Sequence, residues 1–147
     1  MQTEAPTGTL RLAPGVRELV VRSSLDARPR EACGLLVGSP GSGAVVASTA
    51  TRARNLRGET TSRFELDPGH LVATEDAARA EGLEIVGVWH SHPESPAEPS
   101  EDDRRGAWGG WLHLIVSLAG GEVDLRAWRL EGERFAEIAV GLEEVDG

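Results

Sequence analysis

Two histidines separated by one residue, His90 and His92, have the type and spacing that most directly suggest metal chemistry in this chain. They follow an apolar, β-prone run, Leu83–Trp89. Side chains alternate along an extended chain, so residues two apart share one face of a sheet. Two imidazoles on one face can reach the same metal ion, with nitrogens about 2.0–2.1 Å from zinc. The pair therefore predicts a metal site where this strand ends.

A carboxylate that would complete such a site follows at Asp103. The proline-rich segment Ser91–Pro99 predicts a loop, and Ser100 predicts the start of a helix that the Gly109-Gly110 pair ends. Asp103 then lies in the first turn of that helix, pointing back toward the histidines. Two imidazoles and one carboxylate leave a fourth tetrahedral position for water, which marks a catalytic rather than a structural zinc. Bound zinc lowers the pKa of that water to roughly 7.

Each of these residues also has an interpretation without a metal. A lone His-x-His pair is more often a pair of solvated loop histidines than a ligand pair. Ser100-x-x-Asp103 matches a capping box, in which the serine caps the helix and the acid binds back to it. The cap and the ligand interpretations are compatible, because a capped helix start is a rigid place for a ligand. On the residues alone, both stay open.

The rest of the chain predicts the elements that position these residues. Apolar residues at helical spacing predict a helix from Pro14 to the Arg28-Pro29 turn, and Asp67-Pro68 predicts a second helix that Gly82 ends. The mixed order of elements favours an α+β fold, a sheet with helices packed on it, over a doubly wound sheet. The last three predicted strands form an antiparallel meander. The β-prone segments are Leu10–Leu12, Cys33–Gly38, Ala44–Ala50, Leu83–Trp89, Trp111–Leu118, Val123–Leu130 and Arg134–Val140.

The composition excludes several classes of function. The 147 residues carry 24 acids and 15 bases, a formal net charge of −9, which disfavours nucleic-acid partners. Every base is arginine, so lysine-based Schiff-base chemistry is ruled out. No apolar run approaches the roughly 18–20 residues that span a bilayer, so we expect no membrane association. The single cysteine, Cys33, excludes an internal disulfide framework. With no signal peptide recognisable, these features predict a cytoplasmic protein.

The chain length fits one domain, which we place at residues 8–142, and the polar residues 1–7 are expected to be disordered.

The site residues also resemble a known family. His90-x-His92, seven further residues and then Ser100-x-x-Asp103 is similar, without a gap, to the full signature of the JAMM metalloproteases, also called MPN-plus domains. The resemblance covers about Leu10 to Leu130 and is closest to compact, stand-alone prokaryotic members. Outside the signature, it is carried by Glu31–Gly38, which is similar to the segment with the family's catalytic glutamate, by Gly82–Trp89, by Asn55 and by Arg63–Pro68.

This resemblance implies a role for five residues. His90, His92 and Asp103 would be the ligands of one catalytic zinc ion with a bound water. Glu31 would be the general base that takes a proton from that water and delivers it to the leaving amine. Ser100 would hydrogen-bond the site and help to stabilise the oxyanion. The residue pattern alone could not have chosen Glu31 among the acids of the chain.

The resemblance also implies a fold and a reaction. The fold would be cytidine-deaminase-like, an α/β/α sandwich with a curved mixed sheet and flanking helices. The reaction would be hydrolysis of a peptide or isopeptide bond, at the C-terminal glycine of a ubiquitin-like or sulfur-carrier protein that ends in Gly-Gly. The expected partners are that protein and, in a homodimer, a second copy of the chain. Two alternatives are a non-catalytic MPN-type binding or scaffold module, and a zinc hydrolase of small peptides or amides.

Overall fold

A computed structural model describes residues 8–41, 43–55, 66–101, 103 and 111–143 of the chain. Residues 1–7, expected to be disordered, lie outside this range, as does most of the predicted third helix after Ser100. Neither of the two full helices has the length and hydrophobicity needed to cross a bilayer. The elements are β1 (Thr9–Leu12), α1 (Val16–Ala27), β2 (Cys33–Pro40), β3 (Ala44–Ala50), α2 (Pro68–Ala80), β4 (Glu84–His92), β5 (Leu112–Ser117), a 3-10 turn (Ala119–Gly121), β6 (Asp124–Glu131) and β7 (Arg134–Leu142).

The seven strands form one mixed sheet in the order β1-β3-β2-β4-β5-β6-β7. The short strand β1 closes this sheet into a barrel, because it pairs in parallel with both β3 and β7. Strands β4 and β5 are also parallel, whereas the other neighbouring pairs are antiparallel. The α+β prediction is confirmed, including the meander β5-β6-β7. The finer description as a cytidine-deaminase-like sandwich stays a prediction.

Alternation along the strands gives the barrel two different faces. The inner face holds the larger apolar core, to which α1 contributes Val16 and Val20. Trp89 of β4 is fully buried there and donates its indole N–H to the Thr51 carbonyl at 2.8 Å. Every strand contributes to this core, through residues such as Leu10, Leu36, Ala47, Trp89, Leu114, Ala127 and Ile138.

The outer face of the sheet carries α2 and the predicted site residues. Helix α2 begins at an Asp67 cap, whose carboxylate accepts the Gly69 amide at 2.9 Å. Its Ala78 packs with Leu35 and Ile85 in a second, smaller apolar cluster. Side chains alternate along a strand, and Trp89 points inward. His90 and His92 therefore both lie on the outer face of β4. The inner core therefore holds β4 in place, and the outer face of the strand presents the two histidines.

Strand β4 is longer than the sequence predicts. The sequence pattern ended it at Trp89, but the ladder with β5 continues through His90 and His92, which lies opposite Ser117. The Leu118 amide then donates to the His92 carbonyl at 3.1 Å. Pro93 stops the strand because it has no N–H to continue the ladder. Both histidines are therefore held in a hydrogen-bonded strand rather than in a loop.

The helix boundaries differ little from the predictions. Helix α1 begins at Val16, two residues after Pro14, and ends at Ala27, just before the Arg28-Pro29 turn. Only Glu101 and Asp103 of the predicted third helix are described, and both are helical. The tight hairpin between β6 and β7 is also present. It turns through Gly132, whose φ of 67° lies in the left-handed region that favours glycine.

Candidate metal centre

Three buried side chains converge on the outer face, at the end of β4. The Nε2 atoms of His90 and His92 lie 3.2 Å apart. Each also lies 3.2 Å from a carboxylate oxygen of Asp103, His90 from Oδ1 and His92 from Oδ2. The residues are 0, 4 and 8% exposed, respectively. Among the described residues, these three form the group of His, Cys, Asp and Glu side chains placed to bind a metal ion.

The spacing of these donor atoms fits a tetrahedral zinc ion. Ligand atoms at about 2.0–2.1 Å from a tetrahedral centre stand roughly 3.3 Å from one another. The separations of 3.2 Å between the donors of His90, His92 and Asp103 match that edge length. Two imidazoles and a carboxylate are also a donor set that suits zinc. The residues present therefore fit the metal that the family resemblance implies.

A second contact of His92 fixes which nitrogen faces the cluster. Its Nδ1 lies 2.7 Å from the Pro96 carbonyl oxygen, which can only accept a hydrogen bond. Nδ1 must therefore carry the proton, and in the neutral ring Nε2 presents its lone pair to the cluster. Burial alone would lower the pKa of His92, but the hydrogen bonds to Asp103 and Pro96 raise it above its ordinary value.

The third member, Asp103, is held by a reciprocal cap with Ser100. The Ser100 amide donates to Asp103 Oδ2 at 2.8 Å, and the Asp103 amide donates to the Ser100 hydroxyl at 3.0 Å. The capping box predicted from sequence is thus present, and the same carboxylate also faces the histidines. Burial opposes the charge of Asp103, but hydrogen bonds and charge from His90 outweigh it and hold its pKa far below the usual range.

His90 is the most enclosed member of the cluster. Burial lowers the pKa of its imidazole, and the nearby Asp103 offsets only part of that effect. A neutral imidazole is the form that binds a metal. Burial therefore favours the neutral, metal-binding state of His90.

Glu31 approaches the same cluster from the start of β2. It is only 4% exposed, and its charge acts on His92, whose pKa it helps to raise. Its backbone is anchored by Asn55, whose Nδ2 donates to the Glu31 carbonyl at 2.9 Å. The next residue is bound by Ser91, whose hydroxyl accepts the Ala32 amide at 2.8 Å. The backbone that carries the Glu31 carboxylate is thus held at two successive residues.

Ser91 supports the site through contacts that the sequence pattern does not indicate. It lies between the two histidines, is fully buried and binds Ala32 through both its side chain and its amide. The sequence signal for it is a small hydroxyl residue inside a buried strand, where an unbonded polar group would be costly.

Cys33 is a poor nucleophile at this position. It lies opposite His90 in the β2–β4 ladder and is 1% exposed. Burial, helped by the charge of Glu31, raises the pKa of its thiol to about 12. A thiol in this environment stays protonated at neutral pH, so a cysteine mechanism is not supported.

A groove open to solvent begins at Ser100, beside the cluster. Its volume is about 530 Å³. Its lining includes Glu98 and Glu101 from the segment around Ser100, and Trp128 and Phe135 from strands β6 and β7. The groove shares Ser100 with the capping box of the candidate site.

His113 shares the outer face with the cluster but does not belong to it. It lies on β5 opposite Val88 and is 3% exposed, with its ring edge-on to Phe135 at 5.1 Å. Within the described part of the chain its Nε2 has no hydrogen-bond partner. In the sequence, His113 alternates with Leu112 and Leu114, a pattern that favours a satisfied structural histidine over a third metal ligand. The structure supports a non-ligand position but not a fully satisfied ring.

His113 should make the zinc-free protein sensitive to acid. Burial, with a smaller contribution from His90, lowers its pKa from 6.5 to about 4. Between those values the unfolded chain binds a proton that the folded chain does not, so stability falls as pH decreases through this window. From pH 7 to pH 5, the unfolding free energy of His113→Leu should decrease by about 2 kcal/mol less than that of the wild type. Urea denaturation with chelator present measures this, and equal losses in both proteins would contradict it.

Comparison with known proteins places this chain in a family. Residues 14–131 match the Prok-JAB family model, described as prokaryotic homologs of the JAB domain. The chain is 37% identical over 116 residues to a desampylase of Haloferax volcanii, covering 78% of this chain and 80% of that protein. A desampylase of Pyrococcus furiosus is 31% identical over 118 residues, which cover 77% of this chain and 76% of that protein.

Two further matches support the same assignment. A CD-NTase/cGAS isopeptidase of Enterobacter hormaechei is 35% identical over 107 residues, which cover 70% of this chain and 58% of that longer protein. A solution structure of a protein from Desulfitobacterium hafniense superposes with a TM-score of 0.83 at 26% identity, covering 95% of this chain and 94% of that one.

A mixed α+β barrel with a buried His-His-Asp cluster defines a JAMM-type protein. The chain belongs to the Prok-JAB family, the prokaryotic homologs of the JAB domain. The family resemblance inferred from the sequence is confirmed.

Proposed function

We propose that this chain is a zinc-dependent isopeptidase that cleaves after the C-terminal glycine of a ubiquitin-like or sulfur-carrier protein. The observation that carries the proposal is the triangle of donor atoms from His90, His92 and Asp103, spaced for one tetrahedral ion beside the buried carboxylate of Glu31. These three residues would hold the zinc ion.

Zinc bound there would supply a Lewis acid and a water of lowered pKa. Glu31 accepts one proton from the attacking water, whose oxygen forms the new bond to the carbonyl carbon. Glu31 then delivers that proton to the nitrogen as the C–N bond breaks, so that the amine leaves neutral. Its position next to His92 supports this role.

Ser100 is suited to stabilise the carbonyl oxygen as negative charge develops. Its oxygen already accepts the Asp103 amide, which leaves the hydroxyl proton able to donate to another acceptor. A donor aimed at a developing oxyanion is usually a large contribution to catalysis. Its location at the mouth of the groove supports contact with a bound substrate.

The substrate class follows from the relatives and from the groove. The relatives described as desampylases and as an isopeptidase support a protein conjugate as substrate. A groove of about 530 Å³ next to Ser100 suits a polypeptide segment better than a small amide, which would leave most of it empty. We further propose a cytoplasmic site of action, because the single cysteine is a buried free thiol.

Cleavage of a defined conjugate tests the proposal. A small Gly-Gly-ending protein encoded in the same genome is joined to a lysine of a carrier protein and incubated with the zinc-loaded chain. Mass spectrometry should detect the free Gly-Gly terminus and an unmodified lysine, and removal of zinc by a chelator should abolish both products. The wild-type chain without conjugate serves as the blank.

Two outcomes would overturn this function. If the zinc-loaded chain cleaves no such conjugate, the proposed isopeptidase function is wrong. Cleavage of short peptide amides but not of conjugates would favour a hydrolase of small substrates.

A further inference from the structure

Three successive carbonyls in the segment that joins the two histidines to Asp103 each accept a hydrogen bond from a different strand. We call residues 93–100 the ligand loop. Its Ser95 carbonyl accepts the Ser117 hydroxyl of β5 at 2.7 Å. The Pro96 carbonyl accepts His92 Nδ1 of β4 at 2.7 Å, and the Ala97 carbonyl accepts the Trp128 indole of β6 at 3.0 Å. The ligand loop is therefore fastened across three neighbouring strands of the outer face.

The hydrogen bonds that Ser117 and Trp128 donate to the ligand loop are not easily replaced by other partners. The Ser117 oxygen also accepts the Ala119 amide at 3.1 Å, so its one proton is available for Ser95. The Trp128 indole can only donate. Ala97 is fully buried, so water cannot easily replace the indole if it is removed. A buried carbonyl that loses its donor bears the full desolvation cost, which favours keeping the loop in this position.

Trp128 is itself supported by Arg126. The Arg126 guanidinium carbon lies 5.2 Å from the centre of the Trp128 ring. The same guanidinium donates twice to Glu137 of β7, at 2.8 and 2.7 Å, which fixes its plane. Its third nitrogen lies 3.5 Å from Glu98 of the ligand loop. Trp128 is thus packed against a guanidinium that is itself held by Glu137 and Glu98.

The fastened carbonyls lie close in sequence to the third candidate ligand. Only Glu98 and Pro99 separate Ala97 from Ser100, whose amide donates to Asp103 Oδ2 at 2.8 Å. Asp103 in turn lies 3.2 Å from both histidines. A metal site tolerates deviations of only about 0.2 Å in its ligand distances. A modest shift of the ligand loop would therefore move Asp103 out of range.

We propose that Trp128 and Ser117 are positioning residues that set Asp103 and Ser100 against His90 and His92. Neither belongs to the three-residue cluster, and they act on it through the carbonyls of Ala97 and Ser95. The inference rests on the proposed metal site and adds the residues that determine its geometry.

Zinc affinity tests this role without relying on activity. Trp128→Phe keeps the aromatic ring and deletes the indole N–H, whereas Ser117→Ala deletes the hydroxyl. We expect each variant to bind zinc about tenfold more weakly than the wild type, the lower end of the range for residues that orient metal ligands. Competition with a fluorescent chelator gives the dissociation constants, and circular dichroism verifies that each variant is folded.

A matched control separates positioning from general stability. Ser24 is fully buried in α1 and donates its hydroxyl to the Val20 carbonyl at 2.6 Å, a bond similar to that of Ser117. Ser24→Ala deletes the same buried hydroxyl away from the ligand loop, and it should leave zinc affinity unchanged.

The outcomes distinguish this inference from the proposed function. If folded Trp128→Phe and Ser117→Ala bind zinc within twofold of the wild type, the positioning role is wrong. If Ser24→Ala weakens zinc as much as Ser117→Ala, the effect is one of stability and the positioning role is also wrong. If the wild type itself binds no zinc, the proposed metal site fails first. Should Trp128→Phe not fold, Ser117→Ala and its control decide the question alone.

Discussion

Glu31→Gln should retain zinc and lose hydrolysis by about 10³-fold, within the range that a general acid–base group contributes. Glutamine has nearly the shape of glutamate and can occupy the same buried place at the start of β2. It cannot accept a proton from water at neutral pH, so the step assigned to Glu31 stops. The turnover number for a Gly-Gly conjugate, measured together with zinc content by elemental analysis, tests both parts of this expectation.

The control for Glu31→Gln is the same change at an exposed glutamate. Glu84 begins β4 and faces solvent, so Glu84→Gln makes the same chemical change away from the site. It should leave both turnover and zinc content unchanged. A Glu31→Gln protein with near wild-type turnover would show that Glu31 is not the base. Loss of zinc in that variant would instead give Glu31 a role in metal binding.

Asp103→Ala should weaken zinc binding by more than about 100-fold, beyond what the loss of an outer-shell partner usually costs. The change removes the only carboxylate of the three-residue cluster and leaves two imidazoles. It also removes the acceptor of the Ser100 amide, so some stability of the helix start is lost. Chelator competition measures the affinity, and thermal unfolding of the zinc-free protein measures the stability.

Asp103→Asn separates the ligand role from the cap. An asparagine oxygen can still accept the Ser100 amide, so we expect the unfolding temperature to stay closer to that of the wild type. Zinc affinity should nevertheless fall strongly, because a neutral amide is a much weaker ligand than a carboxylate. Zinc affinity that is restored in Asp103→Asn would mean that the residue acts only as a helix cap.

Local patterns of the sequence indicated which residues form the cluster, and they left the metal and the helix-cap interpretations both open. The spacing of His90 and His92 encodes a shared face through strand alternation, which is a local property. The spacing of Ser100 and Asp103 encodes a capping box in the same way, and both bonds of that box are present. The structure adds that one carboxylate serves both functions.

The closure of the barrel could not be predicted in this way. Strand β1 has only four residues, and it pairs Thr9 with Ala139 near the other end of the chain. Nothing in a four-residue segment of alternating polar and apolar residues specifies such a distant partner. The predicted end of β4 at Trp89 was wrong for a related reason. Pairing with β5 extends the strand to His92.

The supporting contacts of the site were also hidden from the sequence. Glu31 is identified by the family resemblance, since many other acids occupy similar positions before or after a strand. Ser91, Ser117 and Trp128 have partners 59, 22 and 31 residues away, respectively. Residue type and local spacing carry no information about such contacts, which exist only once the sheet has formed.

The central claim is that hydrolysis requires one zinc ion held by His90, His92 and Asp103. The most direct measurement is the rate of conjugate cleavage as zinc is added in small steps to the zinc-free protein. The protein concentration is kept far above the dissociation constant for zinc. The account predicts that the rate rises linearly and becomes constant at one equivalent of zinc per chain, with no rise for Asp103→Ala. Full cleavage activity in the zinc-free protein, or a rate that zinc does not change, would contradict it.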